Sequence, residues 1–292
     1  MVDDGSSDGT PEALGHAATT FELRALTQAH AGPAAARNLG VSQSRGQLIV
    51  FLDDDVVPDP DLLETHAAAY RESPDTVVVG PMLPPAEWRR PAWIRWEEEQ
   101  LVAQYDAMLA GVYECTPRQL FTGNASLPRE RFLSAGGFDP SFGRAEDVEL
   151  GYRLERLGMR FRFQPDAKVW HYPQRTFTSW CRTPYQYGTA DVRMQREKGH
   201  PTLDQAYREF HARHPLNRLA ARVCVGRPAL LRGVVALLKT VAFTADRTHA
   251  PGVASPALSA VFNLLYWQGV TDAIASRRPA WPAAPSGAVA RG

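Results

Sequence analysis

The stretch LIVFLDDDVVPDPDLL puts three consecutive carboxylates, Asp53, Asp54 and Asp55, directly after an apolar run. In open α/β sheets, ligands bind just beyond the carboxyl ends of strands, so acids at that point face a binding crevice. Period-two geometry places Asp53 and Asp55 on one side and Asp54 on the other for as long as the chain stays extended. Carboxylates so placed repel unless a cation lies between them, and oxygen ligands suit Mg²⁺ or Mn²⁺. The competing reading is a solvated turn that caps the next helix.

A second acidic pair, Glu146 and Asp147, opens EDVELGYRLERLG. Leu150, Leu154 and Leu157 form an i, i+4, i+7 stripe with Glu146 and Asp147 at its two edges, so either acid could look into a cleft. Glu149 shares a face with Arg153 and Arg156 and reads as a surface ion-pair residue. Helix-dipole compensation would explain acids at this position without catalysis. His171, in KVWHYP, ends an apolar strand and is a further candidate ligand, whereas nothing in the spacing promotes the other seven histidines. The opening VDDGSSDGT places Asp4, Ser6, Asp8 and Gly9 like the start of a calcium loop. Position 15, where the closing acid belongs, is Gly15, and no helix precedes, so an EF-hand is excluded.

The elements that must position these groups alternate. A helix is expected over Pro11–Ala18 after an N-cap at Thr10, then a short strand in FELRAL and a helix in GPAAARNLGVSQS. QLIVFL reads as a strand from the middle of a parallel sheet covered on both faces. A helix opened by Asp59, Pro60 and Asp61 follows, then the strand TVVVG and the Trp-rich EWRRPAWIRWEEEQ. QLFTGNASL is expected to be a strand, PRERFLSAG a short helix, AEDVELGYRLERLG a longer one, and RFRFQPDAKVWHY one or two strands. From about Arg175 the pattern is helical. The expected division is an α/β domain over 1–174 that carries these candidate groups, a helical region over 175–278, and a disordered tail over 279–292.

Composition is that of an ordinary globular protein, with 32 basic against 32 acidic side chains in 292 residues. That balance gives no general pull toward nucleic acid. Three cysteines, Cys115, Cys181 and Cys224, suit neither a disulfide framework nor a zinc site and fit a reducing compartment. No signal-peptide pattern follows Met1, so the expected location is cytoplasmic, with peripheral contact at the inner face of the cell membrane as an option.

Taken in order, VDDGSSDGT, ARNLG, FLDDD, GNASLPRERFLSAGGFDPSF, EDVELGYRLERLG and VWH resemble the family-two glycosyltransferases over about residues 2–172. The resemblance implies a GT-A fold: a Rossmann-like α/β domain of the nucleotide-diphospho-sugar transferase type, its mixed sheet flanked by helices, here with a C-terminal helical region. It implies metal-dependent, inverting transfer of a sugar from a nucleotide-sugar donor, UDP-sugars being favoured, to a saccharide or lipid-linked acceptor hydroxyl. A role in making cell-surface polysaccharide or glycoconjugate goes with it.

By position, the resemblance gives Asp4 to the base or ribose, Arg37 and Asn38 to the base and phosphates, and Asp53, with Asp54 beside it, to the ribose side. Gly123 and Asn124 would line the sugar pocket. Asp55 would bind Mn²⁺ or Mg²⁺ with His171 as a further ligand, through a DXD-type motif. Asp147 would be the base with Glu146 beside it. The chemistry agrees, because a nucleoside diphosphate leaves readily only when its growing charge is neutralised, and one carboxylate then suffices to deprotonate the acceptor. The family's first strand, ahead of the acidic loop, has no counterpart here, so an inactive or partner-binding remnant is the alternative. A sugar-nucleotide nucleotidyltransferase lacks support, since no Gly-rich phosphate loop is visible near the start.

Two C-terminal runs, ALLRGVVALLKTVAFTA and PALSAVFNLLYWQGV, are expected to pack as a helical subdomain and not to span a bilayer. The alternative is interfacial binding near a lipid-linked acceptor, with Arg232 and Lys239 snorkelling while Leu and Phe insert. Trp88, Trp93 and Trp96 are read as packed, not as a sugar platform.

Overall fold

Short β-branched and aromatic runs bounded by Gly, Pro and Asp set the strands, and apolar-periodic stretches opened by Pro or Asp set the helices. The computed structural model describes residues 1–212 and 215–275, so the expected tail at 279–292 lies outside the described residues. The chain divides into two compact units, Met1–Trp88 with Glu98–Pro173, and Arg89–Glu97 with the residues from Gln174 onward. The second unit therefore takes a segment from before the expected boundary at 174.

The first unit opens with β1 (Val2–Asp3), α1 (Thr10–His16), β2 (Leu26–Thr27) and α2 (Pro33–Gln43). It continues with β3 (Leu48–Leu52), β4 (Val56–Pro58), α3 (Leu62–Glu72), β5 (Thr76–Val79) and β6 (Met82–Leu83). α4 (Ala92–Leu109) gives its first residues to the second unit. β7 (Asn124–Pro128), α5 (Arg129–Ser134), α6 (Glu146–Arg156), β8 (Arg160–Phe163) and β9 (Val169–His171) complete the first unit.

Its main sheet has the order β3-β7-β5-β8, with β3 and β5 antiparallel to β7 and β8 parallel to β5. The expected mixed sheet flanked by helices is thus observed. β4-β9-β6 and β1-β2 form two smaller sheets. The expectation that QLIVFL sits mid-sheet with parallel neighbours does not hold: β3 is at the end of its sheet, pairs antiparallel, and leaves Leu52 exposed. An apolar run reports burial of a strand but not the direction of its neighbour. Of FELRAL only Leu26 is in a strand, β2, because Phe21 is exposed and has no core face to alternate against.

Val77, Val79, Ala125, Leu127, Leu150 and Leu154 are buried in the core of this unit. Phe51, Phe132 and Phe138 pack ring to ring at 5.2–5.6 Å. In α6 the leucine stripe stops at Leu154; Leu157 lies past the last turn and is 43% exposed. Glu149 pairs with Arg153 as expected, but the carboxylate is fully buried and not at the surface. Both its oxygens accept from Arg153, which also donates to the Ala135 carbonyl, so the buried charge is compensated.

The second unit is helical among the described residues: α7 (Phe177–Lys198), α8 (Thr202–Ala212), α9 (Pro215–Cys224), α10 (Pro228–Arg247) and α11 (Pro251–Ile274). α7 crosses α11 so closely that a Cβ on Gly188 would lie 2.1 Å from the Tyr266 carbonyl oxygen, and one on Gly269 would lie 2.1 Å from that of Tyr185. Only glycine fits at either position. Two phenols fasten the crossing, Tyr185 donating to Asp272 at 3.1 Å and Tyr266 to Asp191 at 2.5 Å. Trp93 stacks on Phe243 at 5.3 Å and Trp96 meets Trp180 edge-on at 5.6 Å, so both are packed aromatics.

By length and composition α10 alone among the described helices is long and apolar enough to cross a membrane. Its Leu231, Val235, Ala242 and Ala245 are nonetheless buried against the unit. Lys239 does not point outward: its ammonium lies over the Phe177 and Phe243 rings at 5.0 and 5.4 Å. The expected pairing of a snorkelling Lys239 with an inserting phenylalanine is therefore replaced by a cation–π contact within the unit.

Candidate functional site

β3 delivers the aspartates. Its last residue Leu52 is opposite Asn124 of β7, which brings Gly123 beside Asp53. A Cβ on Gly123 would come within 3.0 Å of Asp53 Oδ2 and 2.7 Å of the Met82 thioether, so any larger residue there would have to displace those side chains. The strand ends at Leu52 and the chain turns at Asp54 and Asp55, yet Asp53 and Asp55 are half-buried while Asp54 is exposed, as alternation would have them.

β4 pairs antiparallel with β9, and Val56 opposite His171 carries Asp55 to that histidine. Asp55 Oδ2 lies 3.4 Å from His171 Nε2, and the Asp55 carbonyl accepts from the Tyr172 amide at 2.8 Å. A carboxylate and an imidazole this close fit a divalent cation that takes its remaining ligands from phosphate oxygens and water. No cluster of three or more potential ligands occurs among the described residues.

α2 supplies the link between the two acidic clusters. Arg37 donates from Nη2 to Asp53 Oδ1 and from Nη1 to Glu146 Oε1, each at 2.8 Å. Its guanidinium also sits 5.8 Å from the Phe138 ring. Burial alone would favour losing the charge, but the Asp53 and Glu146 carboxylates outweigh it. Asn38, one residue on, accepts from the Phe138 amide and donates to the Phe138 carbonyl, both at 2.9 Å. Its side chain thereby fixes the loop before α6.

Asp147 follows from the way α6 begins. Ala145, buried at the N-cap, is held in the left-handed region at φ 60°, ψ 26°, a conformation that costs an alanine about 1–2 kcal/mol. Beyond it Glu146 turns to Arg37, and Asp147 is half-buried beside it. Burial first, and then the Glu146 charge, pushes the Asp147 carboxyl up to about 7; the Val148 amide and the Arg37 and Arg144 charges pull the other way.

The remaining residues hold backbone. Asp4 accepts from Gln28 at 2.7 Å and from the Ala31 and Gly32 amides at 2.8 Å each, tying the opening loop to the start of α2. Burial would raise its carboxyl, but these bonds outweigh that and hold it below the ordinary carboxylate range. The Asn124 amide donates to the Pro81 and Ala167 carbonyls, at 3.1 and 2.7 Å. Its Oδ1 faces His66 Nε2 at 3.0 Å, while His66 Nδ1 faces Ser126 Oγ at 2.8 Å. Burial lowers the His66 pKa, so the ring is neutral, donating from Nε2 and accepting at Nδ1.

The structure thus joins Arg37, Asp53, Glu146 and Asp147 in one charged group and Asp55 with His171 in another. Spacing alone gives no sign of the Arg37 bridge, the strained Ala145 or the buried His66; an isolated His in an apolar-periodic helix is the only trace of the last.

Residues 1–117 match the model described as glycosyl transferase family 2. Glucosyl-dolichyl phosphate glucuronosyltransferase of Haloferax volcanii is 31% identical over 163 residues, covering 49% of this chain and 51% of that one. Pre-mycofactocin glycosyltransferase of Mycobacterium tuberculosis is 28% identical over 203 residues, covering 64% and 40%. The chain thus spans about half or less of the length of these relatives. Among solved structures, the mannosyltransferase PcManGT of Pyrobaculum calidifontis, in complex with GDP-Man and Mn²⁺, aligns at TM-score 0.54 and 20% identity over 95% of this chain and 77% of that one. S. aureus TarS residues 1–349 in complex with UDP-GlcNAc aligns at TM-score 0.53 and 14% identity, over 94% and 82%. These likenesses establish the fold.

Proposed function

We propose, from the match of residues 1–117 to glycosyl transferase family 2 and from the GT-A fold, that the protein moves a sugar from a nucleoside-diphospho-sugar to an acceptor hydroxyl, with metal assistance and inversion at the anomeric carbon. The observation that carries this reading is the Arg37 bridge at 2.8 Å to both Asp53 and Glu146, beside an Asp147 carboxyl raised to about 7.

Asp147 is the base. A carboxylate that titrates near neutral pH is matched to taking a proton from a hydroxyl at that pH. As the acceptor oxygen forms its bond to the anomeric carbon, its proton passes to Asp147, and the bond to the diphosphate oxygen breaks with the electron pair leaving on the diphosphate. Attack comes from the face opposite the leaving group, which inverts the configuration. Asp55 and His171 are the residues that would hold Mn²⁺ or Mg²⁺, and the cation would neutralise the charge growing on the diphosphate.

Arg37 and Asp53 face the nucleotide side, and Gly123, packed against Asp53 and the Met82 thioether, is assigned to the wall of the sugar pocket. Asp4 and Asn38 act by fixing the loops around α2, and Asn124 fixes the backbone that carries Gly123. Asp54, exposed at the turn, is assigned to the donor's open side.

The acceptor is read as a saccharide or lipid-linked glycan hydroxyl. PcManGT with GDP-Man and TarS with UDP-GlcNAc make GDP- and UDP-sugars the donors to try, UDP-sugars first. The test is a panel of both with Mn²⁺ or Mg²⁺, monitoring nucleoside diphosphate release. Cation-dependent release from at least one donor is expected. Absence of both binding and release across the panel would overturn the reading and favour a non-catalytic, partner-binding domain.

A further inference from the structure

Among the described residues of the second unit, α9 and α10 each keep an apolar face exposed. On α9, Leu216, Leu219 and Val223 fall on one face and are exposed, Leu216 to 66%. Their i, i+3, i+7 spacing is that of an apolar stripe facing a partner, while Ala221 and Cys224 already fill the buried side. On α10, Leu230, Gly233, Ala236, Leu237, Thr240 and Thr244 are exposed. At about 100° per residue they share one sector about 120° wide, opposite the buried Leu231, Val235 and Ala242. From Ala229 to Thr244 that sector has no ionised side chain, and this gives α10 the hydropathy of a membrane span although one of its faces is packed on protein.

Charge supplies the second observation. Residues 215–275 carry six basic side chains, Arg218, Arg222, Arg227, Arg232, Lys239 and Arg247, against two acids, in a protein whose formal net charge is zero. Both acids are engaged: Asp246 accepts from Arg95, and Asp272 is buried and accepts from Tyr185 and Gln268. On α9, Arg222 borders the apolar stripe and is exposed, with Arg218 beyond it. On α10, Arg232 sits at the edge of the apolar sector and Arg247 closes its end.

An apolar face edged by Arg222 and Arg232 is complementary to a surface that offers hydrocarbon beneath a layer of anionic headgroups. We propose that the exposed faces of α9 and α10 form a docking surface for an anionic lipid bilayer, on which the helices lie in the interface and do not span it. Because Leu231, Val235, Ala242 and Ala245 are committed to the protein core, α10 can offer lipid one side only. The arginines give the attraction and the long-range orientation, and the leucines give the insertion. Lys239, folded over Phe177 and Phe243, takes no part.

The test is flotation of the full chain with vesicles of phosphatidylcholine alone or with phosphatidylglycerol added. It reads lipid binding and not turnover, so it stands or falls separately from the proposed transferase activity. The chain is expected to float with the phosphatidylglycerol vesicles, with partition weakened but not abolished by added salt. The double variant Leu219→Gln/Leu237→Gln, at exposed positions, is expected to lower the partition at least about tenfold. The triple variant Arg218→Gln/Arg222→Gln/Arg232→Gln is expected to lose the preference for anionic vesicles. Val112→Gln, an exposed apolar position in the first unit, serves as a control that should float like the parent, and thermal melts check that all variants stay folded. Failure to float with anionic vesicles, equal flotation of the leucine variant, or a lipid-free dimer dissolved by Leu219→Gln/Leu237→Gln would each overturn the proposal.

Discussion

Arg37 and Glu146 lie 109 residues apart in the chain and meet at 2.8 Å. The other arm of the same guanidinium reaches Asp53 at 2.8 Å, so α2 bolts the end of β3 to the start of α6. The Glu146 side chain is only 8% exposed, and the Arg37 guanidinium is the charge that meets it there.

Arg37→Ala is therefore expected to strand a buried carboxylate. Removing one partner of a buried pair costs about 3–5 kcal/mol, and the part-exposed Asp53 arm brings the expected loss to the lower end, about 3 kcal/mol. Arg37→Lys keeps the charge but cannot span both carboxylates, so it should fall between parent and Ala. Urea unfolding at pH 7 measures both.

The Asp147 carboxyl fixes a pH signature. Its folded value, raised to about 7, lies above the ordinary 3.8, so between those limits the folded state keeps a proton that the unfolded chain has released. This group's contribution to stability is present at low pH and falls as pH rises through that window. Activity runs the other way, because the base must be ionised: kcat/KM is expected to climb with pH through about 7. Urea midpoints and pH–rate profiles from pH 5 to pH 9 check the two slopes, and Asp147→Asn should flatten the first.

Asp55 and His171 face one another at 3.4 Å and should share a cation. Chelation with EDTA is expected to stop transfer and Mn²⁺ or Mg²⁺ to restore it. Asp55→Asn and His171→Ala are each expected to raise the cation concentration for half-maximal rate by about tenfold or more. Metal titration of the initial rate gives the comparison.

Ala145 holds a left-handed conformation where glycine carries no penalty. Ala145→Gly relieves about 1–2 kcal/mol of backbone strain and loses one buried methyl worth about 0.8 kcal/mol, for a net gain of about 0.5 kcal/mol. Ala145→Val, β-branched at positive φ, is expected to lose more than about 2 kcal/mol. Thermal unfolding of the two variants should move in opposite directions.

The sequence made the strand at Leu48–Leu52, the helix at Glu146–Arg156 and the helical C-terminal region legible, because each rests on local periodicity. It could not tell that β3 pairs antiparallel at the end of its sheet, since burial and pairing direction are separate properties. Glu149 looked like a surface residue because its wheel position matched Arg153; that the Ala135 loop closes over the pair is a tertiary fact. Lys239 read as a snorkelling residue until Phe177, far off in sequence, supplied a ring beneath it. At the site, the acids were visible as types in a pattern. The arginine that joins two acidic clusters 109 residues apart has no local signature.

Asp147→Asn tests the central claim most directly, because it keeps the shape of the side chain and removes its ability to accept a proton. The measurement pairs nucleoside diphosphate release, for a donor and acceptor on which the parent turns over, with calorimetric titration of the nucleoside diphosphate in Mn²⁺. Release should fall by at least about a hundredfold, in line with the loss of a general base, while metal-dependent nucleotide binding persists. Undiminished turnover by Asp147→Asn would contradict the account.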